Sequence, residues 1–468
     1  MTGSSHSFEA DGKRITVTVE DADGSGSAPQ TVRRSVFDIQ RKINDRTAKV
    51  YTAKEFKDLV RQGKRPTLEQ VDAVTAGTFG IVSGTMAIFC IPVCEAGRFK
   101  HAEKVTVNGV PATVGPCPNE SLGMVDIIVN GTARRDRDYG GGHLFRDLVE
   151  GKKVEVLVET DAGDTISRMV TLGEIPFARM VTTRSFFKNY NCFATPEEDV
   201  ETIFCGPNPM KGGWAEATFS GCGDISPLQN DPDLRFLRTG AGVFVNGAPG
   251  IVLGTGTRSN AAKPNLSVQA DMHQMRPEYM GGFRTSISPE CTISVGTVFP
   301  VLDQDMLERL SILNEDVELP LNDVRDRKPI CLDYYSSVWN DGNIDVKADI
   351  SRCLHCKHCI ADEFCPRDAS PSKGIDRSLC MECGNCVNHC VGHVFSCDMG
   401  KVRFEIDPSV PGGQKKTFRI PVGQREEFNV PIGQRQSCRR IGLKVCDELK
   451  QLVEDGKWSL GYFNEYIQ

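Results

Sequence analysis

The chain has 468 residues, of which 39% are hydrophobic and 25% charged, with a formal net charge of −7 and 19 cysteines. This composition is typical of a globular protein of roughly three domains and excludes a chain dominated by disorder. The acidic balance gives no basic face for nucleic acid. The first residues, MTGSSHSFEADGKR, contain no apolar signal segment, so we expect a cytoplasmic protein in a reducing, anaerobic cell.

The N-terminal part divides into an arm and the start of a large domain. Residues 1–33 include GSGSAP at 24–29, and this density of Gly and Ser predicts an N-terminal arm or a small strand pair. A large domain of mixed α and β structure, either α+β or α/β, is expected over 34–335. Near its start a helix is predicted that carries Phe56, Leu59 and Val60 on one side and ends at Gly63.

The segment from Ala73 to Cys94 has 22 residues without a formal charge, which is long enough to cross a bilayer. Its glycines, threonines and serines make a poor lipid-facing helix. We therefore interpret it as a buried strand, turn and helix of the core, and we expect no membrane partner.

Two similar texts indicate an internal duplication of the large domain. VTVNGVP at 105–111 and VFVNGAP at 243–249 each contain an Asn-Gly pair, which predicts a hairpin with a type I′ turn. TFGIVSG, from Thr78, and TFSGCGD, from Thr218, precede them. Duplication and coincidence are equally supported; a true duplication would make the segments around Ser83 and Cys222 symmetry mates beside a cleft.

The stretch YGGGH at 139–143 precedes a predicted short helix that ends at Gly151. A helix N-terminus offers bare N–H groups to an anion, so a substrate carboxylate or phosphate is expected there, with His143 placed for proton transfer. The alternative is a tight turn with a structural histidine. The binding residues of this hypothesis are Tyr139, Gly140, Gly141 and Gly142.

The stretch SGCGDISPLQNDP at 220–232 places Cys222 between Gly221 and Gly223, followed by Asp224. Here a thiol is expected to stand exposed and to be approached closely by a ligand. The alternative is a small buried cysteine in a glycine turn. A looser group of thiols is interpreted as core or redox-sensitive: Cys90, Cys94 and Cys117.

Two cysteine runs near the C-terminus, CLHCKHCIADEFCP and CMECGNCVNHC, have the C-x2-C-x2-C spacing of bacterial ferredoxins rather than the widely separated pairs of zinc sites. Two zinc knuckles are the weaker alternative. In two-cluster ferredoxins the fourth cysteine of each run ligates the other cluster, which predicts a ferredoxin-like domain with two 4Fe-4S clusters over 340–400. The expected ligands are Cys353, Cys356, Cys359 and Cys390 for the first cluster and Cys365, Cys380, Cys383 and Cys386 for the second.

Two departures from the ferredoxin pattern affect loops rather than ligands. Five residues precede the fourth cysteine of the first run, and Val391 stands where proline is usual. Beyond the clusters, 401–468 is predicted to form a small strand and helix segment. PVGQR at 421–425 and PIGQR at 431–435 are predicted to be strands, followed by a helix that Ser437 caps and Gly456 ends.

Five stretches together carry a resemblance to a known family: VDAVTAGTFG, NGVPA, YGGGHLFRDLVEGK, TFSGCGDISPLQNDP and GVFVNGAPGIVLGTGT. The chain resembles the homocysteine biosynthesis family, the aspartate-semialdehyde sulfurtransferase-like proteins of archaea and anaerobic bacteria. With the two cluster motifs and the VPIGQRQS tail, the chain is most similar to the methanogenesis marker 16 metalloproteins of that family. The resemblance implies insertion of sulfide into an aldehyde to give a thiol. It also departs from the family, because Ser83 and the segment around Thr165 stand where characterised members carry cysteines.

The sequence thus predicts an iron-sulfur protein that inserts sulfur reductively into a small anionic aldehyde-like substrate, using electrons from two 4Fe-4S clusters. The alternative is a non-catalytic electron-transfer or assembly factor for a methanogenesis enzyme or cofactor. The expected partners are the anionic substrate and a redox partner protein, and homo-oligomer formation is left open. The predicted catalytic residues are His143, Cys222 and Asp224; Thr78, Gly80, Ser83, Gly221 and Gly223 join the glycines of 140–142 as substrate-binding residues.

Overall fold

The structure is a computed structural model that divides the chain into two units, residues 1–33 and 34–468. It describes residues 5–10, 13–18, 34–115, 121–185, 191–340, 342–406 and 426–461. Cys117 and the PVGQR repeat at 421–425 lie outside the described residues, as does most of the predicted arm. In the first unit, two strands pair antiparallel.

Strands outnumber helices in the described part of the chain. The strands are β1 (Ser5–Ala10), β2 (Lys13–Thr18), β3 (Val50–Thr52), β4 (Ala73–Ile81), β5 (Thr85–Pro92), β6 (Ala102–Val107), β7 (Val110–Val114), β8 (Met124–Asn130), β9 (Val154–Thr160), β10 (Thr165–Val170), β11 (Phe177–Ser185), β12 (Cys192–Ala194), β13 (Ala217–Phe219), β14 (Gly242–Val245), β15 (Ala248–Thr255), β16 (Leu266–Asp271), β17 (Met280–Arg284), β18 (Pro289–Pro300), β19 (Glu318–Asp323), β20 (Pro329–Tyr334), β21 (Lys347–Ala348), β22 (Phe395–Ser396), β23 (Lys401–Ile406) and β24 (Glu426–Arg435). The α-helices are α1 (Val36–Asn44), α2 (Ala53–Arg61), α3 (Gly141–Val149), α4 (Pro227–Asn230), α5 (Gln304–Arg309), α6 (Ile360–Glu363), α7 (Asn385–His389) and α8 (Arg439–Glu454).

A 14-stranded sheet forms the frame of the second unit. Its order is β10-β9-β6-β7-β8-β5-β11-β16-β15-β14-β18-β4-β3, and β17 pairs with β18. The pairs are antiparallel except for the parallel pair of β3 and β4. All 12 residues of β18 are buried, because β4 covers one of its edges, β14 and β17 cover the other, and helices pack nearby. The fold is therefore mixed α and β, as predicted.

A second sheet of six strands has the order β20-β19-β12-β13-β24-β23. The C-terminal segment contacts both sheets. Its strand β24 runs parallel to β13 in the six-stranded sheet, and its helix α8 packs on β4 and β18 of the large sheet. This segment therefore joins the two sheets. Between β20 and β23 lies the cysteine-rich region, whose ends are joined by the antiparallel pair of β21 and β22.

The predicted hairpins are confirmed. In β6–β7 the central residues Asn108 and Gly109 have φ of 50° and 77°, and in β14–β15 Asn246 and Gly247 have φ of 51° and 93°. A type I′ turn requires positive φ at both positions, which explains the Asn-Gly pair.

Two other expectations about the large domain do not hold. The segment 73–94 forms two strands, β4 and β5, not a strand and a helix; within the described residues, no helix has the length and apolarity to cross a membrane. The duplication is not supported, because Thr78 belongs to the large sheet and Thr218 to the small one.

The predicted helices form with adjusted ends. The helix α2 buries Phe56 completely and is followed by Gly63 at φ 73°. In α8 the N-cap is Cys438, so the prediction of Ser437 as the cap is wrong by one residue. Ser437 instead accepts a hydrogen bond from the N–H of Gly221 at 2.7 Å.

Candidate functional site

Cys222 lies in the turn that follows β13 and is completely buried. The Thr78 hydroxyl donates to its sulfur at 3.3 Å, and its S–H donates to the carbonyl of Phe79 at 3.8 Å. Burial raises the pKa of the thiol. The expectation of an exposed thiol is therefore wrong, because the strand end of β4 and the first turn of α8 cover it; a Cβ on Gly442 would lie 3.5 Å from the sulfur.

The glycines around Cys222 are needed for the backbone. Gly221 and Gly223 have φ of 105° and 66°, a region that favours glycine. A Cβ on Gly223 would approach the Asn314 side-chain oxygen to 2.2 Å, and one on Gly80 would approach the Ser437 hydroxyl to 2.7 Å. These contacts explain the glycines by packing, and their role in substrate binding stays a prediction.

Asp224 forms a buried ion-pair network. Its carboxylate accepts from Arg439 at 2.8 Å and from Arg61 at 2.7 Å, and its own exposure is 0%. Burial alone would raise the pKa of Asp224, but Arg439, Lys57 and Arg61 outweigh it and hold that pKa below its usual value. An ionised carboxylate held by two guanidinium groups is a poor proton donor, so these contacts favour a positioning role.

His143 lies in the first turn of α3 as a neutral ring. Its Nδ1 accepts from the N–H of Gly140 at 3.2 Å, which places the ring proton on Nε2. That buried Nε2 has no hydrogen-bond partner among the described residues. Burial, followed by the charge of Arg367, lowers the pKa of His143 to about 4. The ring stacks on Tyr139 with a centroid separation of 5.5 Å, so a buried N–H donor is held in a fixed direction.

The expected anion site at the glycine run is wrong. The N–H of Gly141 donates to Ala133 at 2.8 Å, that of Gly142 donates to Gly131 at 3.1 Å, and that of Gly140 is used by His143. No bare N–H group of the three remains for a carboxylate or phosphate. The glycines are instead required by close packing; a Cβ on Gly141 would lie 2.2 Å from the carbonyl of Asn130.

Glu290 is a buried carboxyl that the sequence reasoning missed. It lies in β18 with 4% exposure, and its Oε2 has no hydrogen-bond partner within the described part of the chain. Burial raises the pKa of Glu290 to about 7, although a hydrogen bond with Ser83 and the charge of Arg184 oppose the shift. A carboxyl that titrates near neutral pH is suited to proton transfer. The signal was an acidic residue inside a buried strand.

His143 and Cys222 do not share one cleft. The His143 ring packs on Gly282 of β17, which pairs with one edge of β18. Cys222 contacts the carbonyl of Phe79, and the same carbonyl accepts from the N–H of Cys438, at the edge of β4 that faces away from β18. Two strands therefore lie between them. The His143 ring packs on the face of Gly282, which pairs with Cys291, whereas Glu290 is the next residue of β18 and its side chain points to the opposite face. Glu290 and His143 therefore do not share one cleft either.

The cysteines predicted for the second cluster line one cavity. We call Cys365, Cys380, Cys383 and Cys386 the inner four-cysteine group. Cys365 and Cys383 are each 8% exposed. The N–H of Ala369 donates to the sulfur of Cys365 at 3.3 Å, and the N–H of Glu382 donates to that of Cys380 at 3.4 Å. Four thiols around one cavity with N–H donors to sulfur fit a cubane cluster.

Arg367 supplies charge to this cavity. It is 4% exposed, and the two ends of its guanidinium donate only to uncharged oxygens, including the carbonyls of Met280 and Leu379. Its ionisable neighbours include Arg146, Asp368, His143 and the thiols Cys365, Cys380 and Cys438. Among the described residues no carboxylate pairs with it. A buried cation needs a counter-charge, and thiolates of a bound cluster would provide one, so the donor set fits a four-iron cluster better than free thiols.

The segment between β24 and α8 connects the inner four-cysteine group to Cys222. The N–H of Arg435 donates to the carbonyl of Cys383 at 2.9 Å, and two residues later Ser437 accepts from Gly221. Cys438 is fully buried, and its thiol lies close enough to those of Cys380 and Cys222 to interact with both through charge. The sequence reasoning missed this thiol as a neighbour of Cys222, because only the long-range fold brings them together.

The cysteines predicted for the first cluster have different surroundings. We call Cys353, Cys356, Cys359 and Cys390 the outer four-cysteine group; Cys356 is exposed and the others are half-buried. The N–H of His355 donates to the sulfur of Cys353 at 3.4 Å, which repeats the bond of Glu382 in the inner group. Within the described ranges, no three His, Cys, Asp or Glu side chains converge on a single metal ion.

Several known proteins are similar to this chain. A family model described as homocysteine biosynthesis enzyme, sulfur-incorporation, matches residues 48–460. An uncharacterized protein of Methanothermobacter thermautotrophicus is 41% identical over 92% of this chain and 95% of its own length, and one of Methanocaldococcus jannaschii is 35% identical over 89% and 100%. An L-aspartate semialdehyde sulfurtransferase of the latter organism is 29% identical over 68% of this chain and 65% of its own length. No solved structure matches.

Proposed function

Because the chain belongs to the homocysteine biosynthesis, sulfur-incorporation family, we propose that it inserts sulfur reductively into a small anionic aldehyde, with electrons from two bound 4Fe-4S clusters. Two relatives are named L-aspartate semialdehyde sulfurtransferase, which makes an amino-acid semialdehyde the first substrate to test. The thiol expected from aspartate semialdehyde is homocysteine.

The reaction requires two electrons. Sulfide adds to the aldehyde carbon, and loss of water gives a thioaldehyde. Two electrons and two protons then convert the carbon-sulfur double bond into a thiol. Two bound four-iron clusters would supply one electron each.

One observation carries the proposal: the segment Arg435 to Ser437 bonds to Cys383 of the inner four-cysteine group at one end and to the Cys222 turn at the other. Arg367 extends the same connection, because it lies two residues after Cys365 and its guanidinium lies 5.5 Å from the ring centre of Phe79, whose carbonyl contacts the Cys222 thiol. A reductant in the inner group would therefore be linked to the thiol site of the family domain.

The residues of this chain have separate tasks in the proposal. Glu290 holds a proton near neutral pH and gives it up at its unpaired Oε2, which suits the protonation of the reduced carbon or sulfur. His143 holds the turn at the start of α3, because its Nδ1 accepts from the N–H of Gly140. Asp224 keeps α2 and α8 fixed on the Cys222 turn.

The sulfur source follows from the residues present. Ser83 bonds to Glu290 and cannot carry sulfane sulfur, and Thr165 is exposed on β10. Cys222 is buried beside Thr78, and burial raises the pKa of its thiol and those of Cys90 and Cys94. A high thiol pKa disfavours the thiolate that would attack a sulfur donor. We therefore propose that free sulfide is the sulfur donor.

A second function, the non-catalytic electron-transfer or assembly factor, is favoured by a different observation. Cys222 has zero exposure and two strands separate it from His143, so the predicted catalytic residues do not surround one substrate. In this alternative the large domain is a binding platform for a maturation partner.

The test is a single turnover by anaerobic, reduced protein mixed with sulfide and aspartate semialdehyde. We expect one homocysteine for every two reducing equivalents lost from the clusters, followed by thiol analysis and cluster absorbance. Glu290→Gln should lower the rate by about 100-fold, the usual size of a general acid contribution. His143→Gln should have a smaller effect, because the His143 ring lies on the opposite face of the sheet from Glu290. Cys205→Ser is the control. Cys205 is a buried cysteine that donates a hydrogen bond to the carbonyl of Asn208 and packs in a separate group of apolar side chains.

The alternatives give separate results. Thiol formation without cluster oxidation would reject the reductive role, and an unchanged rate in Glu290→Gln would reject the assigned proton donor. If neither thiol nor oxidation appears with aspartate semialdehyde or other anionic aldehydes, the electron-transfer or assembly factor is the better interpretation.

A further inference from the structure

Large apolar side chains are exposed around the outer four-cysteine group. Leu354 is 66% exposed, Val391 59%, Ile350 46% and Ile360 39%. Each is adjacent to or within three residues of an outer cysteine. A Cβ on Gly392 would lie 3.2 Å from the Leu354 side chain, so the two cysteine loops, 353–360 and 390–393, meet at this surface. We call these four residues the outer patch.

The inner four-cysteine group has no such surface. Cys365 and Cys383 are 8% exposed, and their neighbours Pro366, Ala369 and Met381 are buried. Only the outer group offers a thiol, that of Cys356, at the surface. Because electron transfer between proteins needs a short path, any exchange with another protein takes place at the outer group.

The first cysteine loop carries two exposed cations. They are Arg352 and Lys357, and no acid lies between 350 and 360. Residues 390–393 carry no formal charge. The acids Asp349, which accepts from Ser351, Asp362 and Glu363 lie at the two ends of the loop. The whole chain has a net charge of −7, so the outer patch presents two cations and apolar side chains, bordered by acids, on an acidic protein.

We propose that the outer patch is the docking surface for an acidic one-electron carrier protein, which reduces the chain at the outer four-cysteine group. This inference rests on the cluster assignment of the proposed function. An acidic partner is repelled by the net charge of the molecule and can pair with Arg352 and Lys357 on this surface, so charge favours an encounter beside the exposed cysteine. The apolar side chains then supply contact area at the centre of a small, transient interface.

The experiment mixes the full-length, oxidised protein with a pre-reduced small acidic ferredoxin that holds two 4Fe-4S clusters. Reduction of the chain is followed anaerobically by absorbance, with no substrate present. We expect the second-order rate constant to fall with rising salt concentration, because opposite charges steer the encounter. Lys357→Glu should lower it about tenfold and Leu354→Ser by a smaller factor.

Matched variants and a chemical reductant separate docking from folding and from catalysis. Lys401→Glu and Leu253→Ser change an exposed cation and an exposed leucine elsewhere and should leave the rate unchanged. All variants should keep the iron content and be reduced to the same final extent by excess dithionite. Because no thiol product is measured, the docking result stands or fails separately from the reaction.

Other occupants of the outer patch are distinguishable. Carrier rates that are equal in Lys357→Glu, Leu354→Ser and the controls would overturn the proposal. So would a dimeric mass for the wild type that Leu354→Ser converts to a monomer, because a second copy would then cover the patch. A carrier rate that does not change with salt concentration would show that charge plays no part and would overturn the acidic partner.

Discussion

The outer and inner four-cysteine groups have nearly the same spacing in sequence and opposite surroundings in the fold. In each group one cysteine sulfur accepts from the N–H two residues later, and that residue has positive φ, His355 at 50° and Glu382 at 56°. The outer group is bordered by exposed leucine, isoleucine and valine. The inner group lines a cavity formed by residues between Val346 and Cys386, which a buried arginine, Arg367, also lines. The motif therefore sets the local backbone geometry of each group, while the rest of the fold sets its exposure.

The different surroundings of the two groups predict the direction of electron transfer between them. A buried positive charge beside a cluster makes that cluster easier to reduce, because the cation stabilises the more negative state. Electrons that enter at the outer group would pass to the inner group, which is linked to Cys222 through Arg435 and Ser437.

The largest expected effect comes from removing one ligand in each group. Cys383→Ser should lose about four of eight irons, lower Tm by several degrees and abolish thiol formation, because Cys383 is buried in the main core. Cys356→Ser should lose a similar amount of iron with little change in Tm, since this residue is exposed. Iron analysis and calorimetry of both variants measure this. Equal losses of Tm would remove the distinction between the two groups.

The second effect concerns Glu290, a carboxyl buried in the interior of the large sheet. The pKa of Glu290 is raised from 4.5 to about 7, so the folded state binds its proton more tightly than the unfolded state. The associated stability is present below pH 4.5 and is lost as the pH rises through about 7, by up to about 3 kcal/mol. Melting between pH 5 and 8 should show this decline in the wild type and a flatter profile in Glu290→Gln. Glu159→Gln, which changes an exposed carboxylate, should behave as wild type.

The smallest effect is electrostatic. Arg367→Gln should lower the midpoint potential of the inner cluster by on the order of 60 mV, the equivalent of a tenfold change for a one-electron couple. The outer cluster should keep its potential. Arg352→Gln, which removes an exposed cation beside Cys353, is the control and should shift neither potential by more than about 20 mV, because water and salt screen it. A redox titration monitored by EPR measures both; an unchanged inner potential in Arg367→Gln would deny that this arginine is the counter-charge.

Local chemistry explains which features were predictable from the sequence. The hairpins follow from Asn-Gly pairs, and the ends of α2 and α3 from Gly63 and Gly151, because each depends on a few adjacent residues. The mixed α and β fold was also predictable. The prediction of an internal duplication was wrong, because the similar sequences at Thr78 and Thr218 form strands of different sheets. Which sheet a strand joins depends on pairing with strands that are distant in sequence.

The candidate site was less predictable because long-range pairing decides burial. No local pattern shows that α8 covers Cys222, that the N–H groups of the glycine run are already bonded, or that two strands separate Cys222 from His143. Glu290 and Arg367 were missed for the same reason. Their importance comes from being charged groups in a dry interior, and burial is a property of the fold.

The most direct test of the central claim is the metal content of protein purified without oxygen, combined with a redox titration. We predict about eight irons and eight acid-labile sulfides per chain, with two EPR-detectable clusters of which the inner has the higher potential. About two zinc ions per chain, or about two irons without sulfide, would contradict the presence of clusters. The eight cysteines would then form a structural zinc module, and the family domain would have no reductant.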